Sequence, residues 1–475
     1  MSDTKCRADA TEACSASSVL PNTTEAILAA DAHLVQSWAD LNALKQPGAR
    51  TAIVSAKGTM VRDSDGHDLI DGIGGLWCVN VGHGRREIID AIADQLSTLD
   101  FYSTFYTFTH PAAAALAQKL AMLAPGDLNR VHFSNSGSVA NDGAVRILHH
   151  YYERLGRKTK KLVLSRHGAY HGSTYLSIAM STPPYSKGWS RAEGIVHHLR
   201  KPHYWREGAD MTEAEFLDAL IDDMRTQIER LGAENIACFI GEPIMGAGGV
   251  IVPPAGYHKR VQELCRRYDI KFVADEVVTA FGRLGHFFAS EAVFETQPDM
   301  ITVAKGVTSG YQPLAATLMT DEIHEVISGP DGVFTHGMTY AGHPAAAAAG
   351  LANIALMEAE HIPERVRVTG KLFENTLRSL GDIDIVGEVR GSHFMMGIEF
   401  VKDKASKALF PEALNIGMLV ARKAQEKGLI ARPLGHILIL SPPLVLTEQE
   451  IARIGSILRE SILEVMHALP SLIRQ

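Results

Sequence analysis

From about residue 130 to residue 319 the sequence alternates short β-rich runs with longer stretches of helical periodicity, and this alternation constrains the fold most strongly. Apolar residues recur at helical spacing in Val139–Tyr151 and again in Val261–Tyr268. Strands that alternate with helices predict an α/β fold with a mostly parallel sheet, whose ligands bind beyond the carboxyl ends of the strands. The predicted strands are Val131–Ser134, Lys161–Ser165, Ile236–Gly241, Ile270–Ala274, Met300–Ala304 and Ala315–Met319.

The flanking segments predict a second, smaller domain. An Asp65-Gly66 pair between two alternating runs is typical of a β-hairpin. Beyond about residue 345 the sequence is helix-rich, then contains strand patterns near Phe394–Phe400 and His436–Leu440 and an amphipathic helix from Glu448. We expect a poorly ordered tail at 1–25, the amino-terminal part of the small domain at 26–75, a large domain at 76–345 and the rest of the small domain at 346–475.

Length and composition exclude several classes of protein. The chain has 475 residues, 46% of them hydrophobic and 21% charged, and its net charge of -8 offers no basic excess for nucleic-acid binding. No apolar run is long enough for a membrane span or a signal peptide, so we expect a cytoplasmic protein that acts on small molecules. The five cysteines follow neither a disulfide nor a zinc pattern; they are Cys6, Cys14, Cys78, Cys238 and Cys265.

A single lysine, Lys305, lies in the stretch ITVAKGVTSGYQPLAA, where an apolar strand runs into a turn. A lysine there can simply pack its stem on the core while its ammonium reaches water. It can also be an amine whose pKa is lowered by burial, so that it attacks a carbonyl and forms a Schiff base. Partners elsewhere in the chain decide between the two interpretations.

Two further segments offer such partners. In VHFSNSGSVANDG a strand is followed by Ser136-Gly137-Ser138 and a helix, which is typical of a phosphate site, although Ser136 or Ser138 could equally be a helix cap. In IKFVADEVV an apolar strand ends in Asp275-Glu276. Such a pair can hold magnesium in an ATPase, but the chain has no Walker lysine motif. Asp275 can instead pair with a protonated ring nitrogen, and pyridoxal phosphate (PLP) requires that carboxylate together with a Schiff-base lysine and a phosphate cradle.

The loop SRHGAYHGSTY follows another strand and contains Tyr170 and His171 between glycines. An aromatic ring in such a loop can stack on a flat cofactor, although surface tyrosines are common in loops. The chain contains no H-E-x-x-H, G-x-S-x-G or G-x-G-x-x-G pattern. Metalloprotease, α/β-hydrolase and Rossmann dehydrogenase functions therefore have no support.

Six motifs in a fixed order resemble the class III aminotransferases, PLP enzymes with the fold type I architecture. The resemblance extends from about residue 30 to the carboxyl terminus, and although each motif is weakly specific, six in order are highly specific. The motifs are S-N-S-G-S, A-Y-H-G-S, G-E-P-I-M-G, A-D-E-V-V-x-x-F-G-R-x-G, A-K-G-V-T-S-G-Y-Q-P-L and T-H-G-M-T-Y-A-G-H-P.

The resemblance implies roles for individual residues and a homodimer, or a tetramer of such dimers, with shared active sites at the subunit interface. Lys305 would carry the Schiff base and Asp275 would pair with the pyridine nitrogen, while Val277 and Tyr170 would pack on opposite faces of the ring. The other residues expected to bind the cofactor are Ser136, Gly137, Ser138, His171, Glu242 and Thr339, the last reaching the phosphate of the partner subunit. Two departures, Val139 for a usual Glu and Ala280 for a common Gly, carry none of this chemistry.

Substrate specificity is suggested by four positions. Glutamate-using branches of the family have a second Glu where this chain has Ala247, so the acidic partner of their mobile arginine is missing. Trp77 and Phe105 resemble aromatic pocket residues of ω-amine:pyruvate transaminases, and Arg432 resembles their switching arginine. Core or interface packing of Trp77 and Phe105, and a surface ion pair of Arg432, remain open.

These features predict an ω-transaminase that moves an amino group from a primary amine or ω-amino acid to pyruvate by ping-pong kinetics through a pyridoxamine phosphate form. The alternatives are another fold type I enzyme, such as a lyase or aminomutase, an aminotransferase that uses 2-oxoglutarate, or a non-catalytic protein. We expect no metal, nucleic acid or membrane partner.

Overall fold

A computed structural model describes residues 20–46, 48–330 and 332–472, which form two compact units. One contains the described residues up to Ala56 together with Met60–Leu69, and the other contains Lys57–Thr59 and the chain from Ile70 onward. Residues 1–19 of the expected tail, including Cys6 and Cys14, lie outside the described residues, and the first helix begins at Thr24. The domain boundaries expected at residues 75 and 345 remain a prediction.

The strands of the described chain agree closely with the expected positions in the central region. They are β1 (Ile53–Lys57), β2 (Met60–Asp63), β3 (Asp68–Asp71), β4 (Arg130–Ser134), β5 (Leu162–Arg166), β6 (Val196–Leu199), β7 (Ile236–Gly241), β8 (Lys271–Asp275), β9 (Met300–Val303), β10 (Ala315–Met319), β11 (Val386–Ser392), β12 (Met395–Phe400), β13 (Leu429–Ile430), β14 (Arg432–Leu434) and β15 (Ile437–Leu440). The Asp65-Gly66 turn connects β2 and β3, and so the predicted hairpin is confirmed.

The helices fill the intervals between the strands. They are α1 (Thr24–Asp31), α2 (Gly74–Trp77), α3 (Arg86–Thr98), α4 (Pro111–Leu123), α5 (Gly137–Arg154), α6 (Ser177–Met180), α7 (Tyr204–Glu207), α8 (Glu213–Leu231), α9 (Tyr257–Arg267), α10 (Asp321–Ile327), α11 (Pro344–Ala359), α12 (Ile362–Arg378), α13 (Ile416–Glu426) and α14 (Glu448–Leu472). Short 3₁₀ turns lie at Ala43–Lys45, Ala233–Asn235, Lys305–Val307, Ser379–Asp382 and Glu412–Leu414.

The central sheet has seven strands in the order β4-β10-β9-β8-β7-β5-β6. All pairs from β9 to β6 are parallel, whereas β10 is antiparallel to both of its neighbours, β4 and β9. Strands β7 and β8 are buried at every residue, because helices cover both faces of the sheet and leave no face for polar side chains. The predicted α/β fold with a large, mostly parallel sheet is confirmed.

A second sheet, antiparallel and in the order β11-β12-β15-β14, follows in the carboxyl-terminal part of the chain. Helix α11 contains the alanine run and packs on α3 and α4, with most of its residues buried. Its small side chains allow this close packing, and alanine has the highest helix propensity. In the described parts of the chain, every helix is too short or too polar to cross a bilayer.

Candidate active site

The carboxyl ends of neighbouring parallel strands bring most of the predicted site residues to one edge of the central sheet. Lys305 follows β9, Asp275 ends β8, and Glu242 follows β7. Tyr170 and His171 lie in the loop after β5, and α5 begins just beyond β4. This arrangement is the one expected for ligand binding by an open parallel sheet.

Lys305 projects from a turn whose backbone has an unusual conformation. Its φ angle of 41° lies in the left-handed region, which is uncommon for a residue with a side chain. The pKa of its amine is lowered by burial, while Cys78 and Asp275 act in the opposite direction. Within the described chain, no hydrogen bond or ion pair engages its side chain. The amine is therefore free to react with a carbonyl group.

Asp275 is a buried carboxylate, 5% exposed, that accepts three hydrogen bonds. Its Oδ2 lies 2.7 Å from His171 Nδ1 and accepts from Asn141 Nδ2 at 2.8 Å, whereas Oδ1 accepts only from the backbone N–H of Val277, at 3.1 Å. No lysine or arginine forms an ion pair with Asp275 in the described chain. Oδ1 therefore has a lone pair for a cationic N–H donor, such as a protonated pyridine ring.

Asn141 is a site residue that the sequence reasoning missed. Its Nδ2 donates to Asp275 and to the carbonyl oxygen of His171 at 2.7 Å, and its Oδ1 accepts from Thr302 Oγ1 at 2.7 Å. The side chain thus joins β8, β9 and the loop after β5. The sequence does contain a signal for Asn141, because it is a polar residue on the apolar face of α5, in the segment S-N-S-G-S-V-A-N-D.

The start of α5 combines a cap with free backbone donors. Ser136 is the N-cap, since its Oγ accepts from the backbone N–H of Val139 at 3.3 Å, so the helix-cap interpretation holds for this residue. The N–H groups of Gly137 and Ser138 have no acceptor within the helix. A Cβ added to Gly137 would lie 3.0 Å from both methyl carbons of Val277, so a larger residue would fill the space between them. The geometry suits a small anion such as phosphate.

Glu242 and Tyr170 are joined through the backbone. Glu242 Oε1 accepts from the N–H of Tyr170 at 3.2 Å, and Oε2 accepts from the N–H of Gly246 at 2.8 Å. Burial raises the pKa of Glu242, and the nearby His171 opposes this effect. The carboxyl group thereby fixes the loop that presents the Tyr170 ring.

Arg432, at the start of β14, lies close enough to Tyr170, Tyr185 and Lys305 to affect their pKa values. In the described chain its guanidinium has no hydrogen bond or ion pair. Tyr185, which the sequence reasoning did not identify, donates from its hydroxyl to the carbonyl oxygen of Ala247, and its ring is 5.2 Å from that of Tyr170. Burial raises the pKa of Tyr185 to about 12, so the hydroxyl is a donor at neutral pH.

Three further predicted residues are located by the side chains around them. Trp77 is 3% exposed and packs in a hydrophobic cluster with residues such as Ile244 and Met395, although its neighbour Cys78 is close to Lys305. Phe105 lies beside the loop of Thr339, since a Cβ added to Gly337 would be 3.1 Å from its ring. Thr339 is exposed, and no hydrogen bond joins it to Lys305 or Asp275 within the described residues.

The residues fit a flat cofactor that carries an aldehyde, a basic ring nitrogen and a phosphate. Lys305 offers a reactive amine, Asp275 a buried carboxylate without a fixed cation, and the start of α5 free N–H donors. All three follow or end strands of the central sheet and lie at the same edge of it. This donor set matches the chemistry of PLP.

Comparison with known proteins agrees with this chemistry. The sequence profile of the family described as "Aminotransferase class-III" matches residues 43–462. A putrescine–pyruvate aminotransferase from Pseudomonas aeruginosa is 39% identical over 90% of this chain and 94% of its own length. A mitochondrial γ-aminobutyrate transaminase 1 from Oryza sativa subsp. japonica is 36% identical over 86% of this chain and 80% of its own length. The crystal structure of an (S)-enantioselective ω-transaminase from Thermomicrobium roseum superimposes with a TM-score of 0.90 and 36% identity, covering 94% and 98% of the two chains.

Proposed function

The chain belongs to the class III aminotransferases, and on this basis we propose that it transfers the amino group of a primary amine or ω-amino acid to pyruvate, giving alanine, by a ping-pong mechanism. The family is PLP-dependent, and we propose PLP as the cofactor. When bound, PLP supplies an electron sink for the carbanion that forms at the substrate carbon.

The positions of the residues support the roles that we propose for them. Lys305 would hold the cofactor through its amine, and the same amine, once displaced by the substrate, would act as the general acid and base for the proton at the substrate carbon. Asp275 keeps the ring nitrogen protonated, with Asn141 and His171 holding its other oxygen. The N–H groups at the start of α5 bind the phosphate, and Val277 and Tyr170 enclose the ring.

The proposed choice of substrate rests mainly on the position of Arg432. A guanidinium close to Lys305, without a carboxylate partner in the described chain, can pair with the carboxylate of pyruvate or of an ω-amino acid. Ala247 offers no acidic side chain to neutralise Arg432, and instead its backbone carbonyl accepts from Tyr185. The name of the Pseudomonas relative, which specifies pyruvate as acceptor, supports the same choice.

We also propose a homodimer in which each subunit completes the site of the other. Thr339 is exposed, and Phe105 lies beside the loop that carries it. Both residues are free to face the cofactor site of a second copy rather than the Lys305 of their own chain.

A panel of amine donors tests the proposal. Purified protein with PLP is given pyruvate and, in turn, putrescine, γ-aminobutyrate, β-alanine, taurine or an arylalkylamine, and alanine formation is measured. At least one donor should yield alanine. Product formation from an amine without any keto acid, continuing beyond one equivalent per active site, would indicate a lyase or aminomutase instead.

Pyruvate should be preferred over 2-oxoglutarate by at least about tenfold in kcat/KM, which requires only ~1.4 kcal/mol of discrimination. The physical reason is that 2-oxoglutarate brings a second carboxylate, and leaving a charge unpaired in an apolar pocket is costly. Steady-state kinetics with one donor and both acceptors measure this ratio. Equal efficiency would show that a second cation serves the pocket.

Arg432→Ala should impair pyruvate and ω-amino acids far more than an uncharged arylalkylamine, because only the former present a carboxylate. Stopped-flow measurement of each half-reaction separates these effects. The arylalkylamine half-reaction of the same variant is the internal control. Equal losses with charged and uncharged donors would remove Arg432 from the substrate site.

A further inference from the structure

The turn that carries Lys305 contains more than one residue in a conformation that side chains disfavour. Lys305 has a φ angle of 41° and Ser309 one of 50°, both in the left-handed region. Such residues persist only where surrounding contacts impose the conformation, and they concentrate at functional sites. The contacts that impose it here come from two directions.

One buried side chain, Asn353 on α11, binds this turn from one side. Its Nδ2 donates to the carbonyl oxygens of Gly306 and Val307, at 2.9 and 3.0 Å, and its Oδ1 accepts from Ser309 Oγ at 2.6 Å. Asn353 is 0% exposed, in a helix whose other buried residues are mostly alanine and larger apolar residues. Both the donor and the acceptor group of the Asn353 amide therefore bind the turn.

Asn80 packs against the same turn at Gly306. A Cβ added to Gly306 would collide with Asn80 Nδ2, so the glycine lets the two segments meet. Asn80 in turn donates to the carbonyl oxygen of Phe281 at 2.6 Å and accepts from the buried Arg283 at 2.7 Å. The backbone after Lys305 has little freedom between these two asparagines.

We propose that Asn353 is a positioning residue, which holds the turn after Lys305 in the conformation that presents the amine to the carbonyl group of the cofactor. This inference rests on the proposed function. Asn353 acts through the backbone and touches neither cofactor nor substrate. Without these three hydrogen bonds the turn after Lys305 is less restrained, and the amine spends less time where it can react.

The rate at which Lys305 captures PLP tests the proposal. Full-length protein depleted of cofactor is mixed with PLP and quenched with borohydride at set times, and the labelled Lys305 peptide is quantified by mass spectrometry. Asn353→Leu should slow capture at least tenfold. Ile354→Ala is the matched control, because Ile354 is buried in the same helix but makes no hydrogen bond to the turn. It should lower the melting temperature while its capture rate stays within about twofold of wild type.

Capture by Asn353→Leu at the wild-type rate would overturn the proposal, whereas failure of the wild type to label Lys305 would overturn the proposed function itself. If the leucine variant does not fold, Asn353→Asp takes its place. The aspartate variant keeps the oxygen that accepts from Ser309. Its second carboxylate oxygen, however, faces the carbonyl oxygens of Gly306 and Val307, to which Asn353 donates. Protonation restores one donor, so its capture rate relative to wild type should rise as pH falls. A ratio that does not change with pH would also count against the proposal.

Discussion

Lys305→Ala should abolish transamination and leave the fold intact. The substitution removes both the covalent link to the cofactor and the group that moves the proton, and general acid–base catalysis alone contributes on the order of 10²–10⁴-fold. Because no hydrogen bond or ion pair engages the amine in the described chain, its loss should cost little stability. The transaminase activity and the melting temperature of the purified variant test these two expectations.

Lys305→Arg provides the matched control, since it retains the positive charge but cannot form a Schiff base. It should be as inactive as the alanine variant. Borohydride reduction of the wild-type holoenzyme should fix the cofactor on the peptide that contains Lys305. Label on any other lysine would refute the assignment.

Asp275→Asn should lower kcat on the order of 10³-fold, or ~4 kcal/mol of barrier, because a neutral amide cannot keep the ring nitrogen protonated. In either orientation the amide also directs an N–H group at existing partners, either Asn141 and His171 or the backbone N–H of Val277. Rapid measurement of one half-reaction isolates this effect from product release.

Glu276→Gln is the matched control for a buried carboxylate. Glu276 is 0% exposed, adjacent in sequence, and accepts from the backbone N–H groups of Ala289 and Ser290 at 2.8 and 2.9 Å, so its role is in packing the following loop. The control should lose stability and keep most of its turnover. An Asp275→Asn variant with more than about a tenth of wild-type kcat would show that another group protonates the ring.

The central strands could be predicted because strands buried on both faces are continuous apolar runs. Ile236–Gly241 and Ala315–Met319 were predicted to the residue, and Lys271–Asp275 was predicted one residue early. Strand β6, Val196–Leu199, was missed because two histidines interrupt its apolar pattern. Strand β11 was missed because V-G-E-V-R-G-S reads as a turn-rich polar segment.

The site was predictable where function leaves a local signature, as with Lys305 in a glycine-rich turn or Asp275 at a strand end. Tyr185 and Asn353 carry no such signature, and the one signal for Asn141, a polar residue on the apolar face of α5, does not reveal its partners. Each of the three side chains binds a segment more than forty residues away in the sequence. A single sequence does not reveal which distant group a buried polar side chain will bind. Their partners emerge only from the packing of α5, the loop after α6, and α11.

The antiparallel strand β10 has a consequence for how the protein is made. It pairs Ala315 with Ser134 and Ala316 with Val303, so in the described chain it lies between β4, which precedes α5, and β9, which precedes the lysine. A nascent chain that has not yet emerged as far as Met319 cannot complete this sheet. Until β10 has been synthesised, the strand edges that it covers on β4 and β9 are therefore unpaired, and pairing between strands so distant in sequence slows folding.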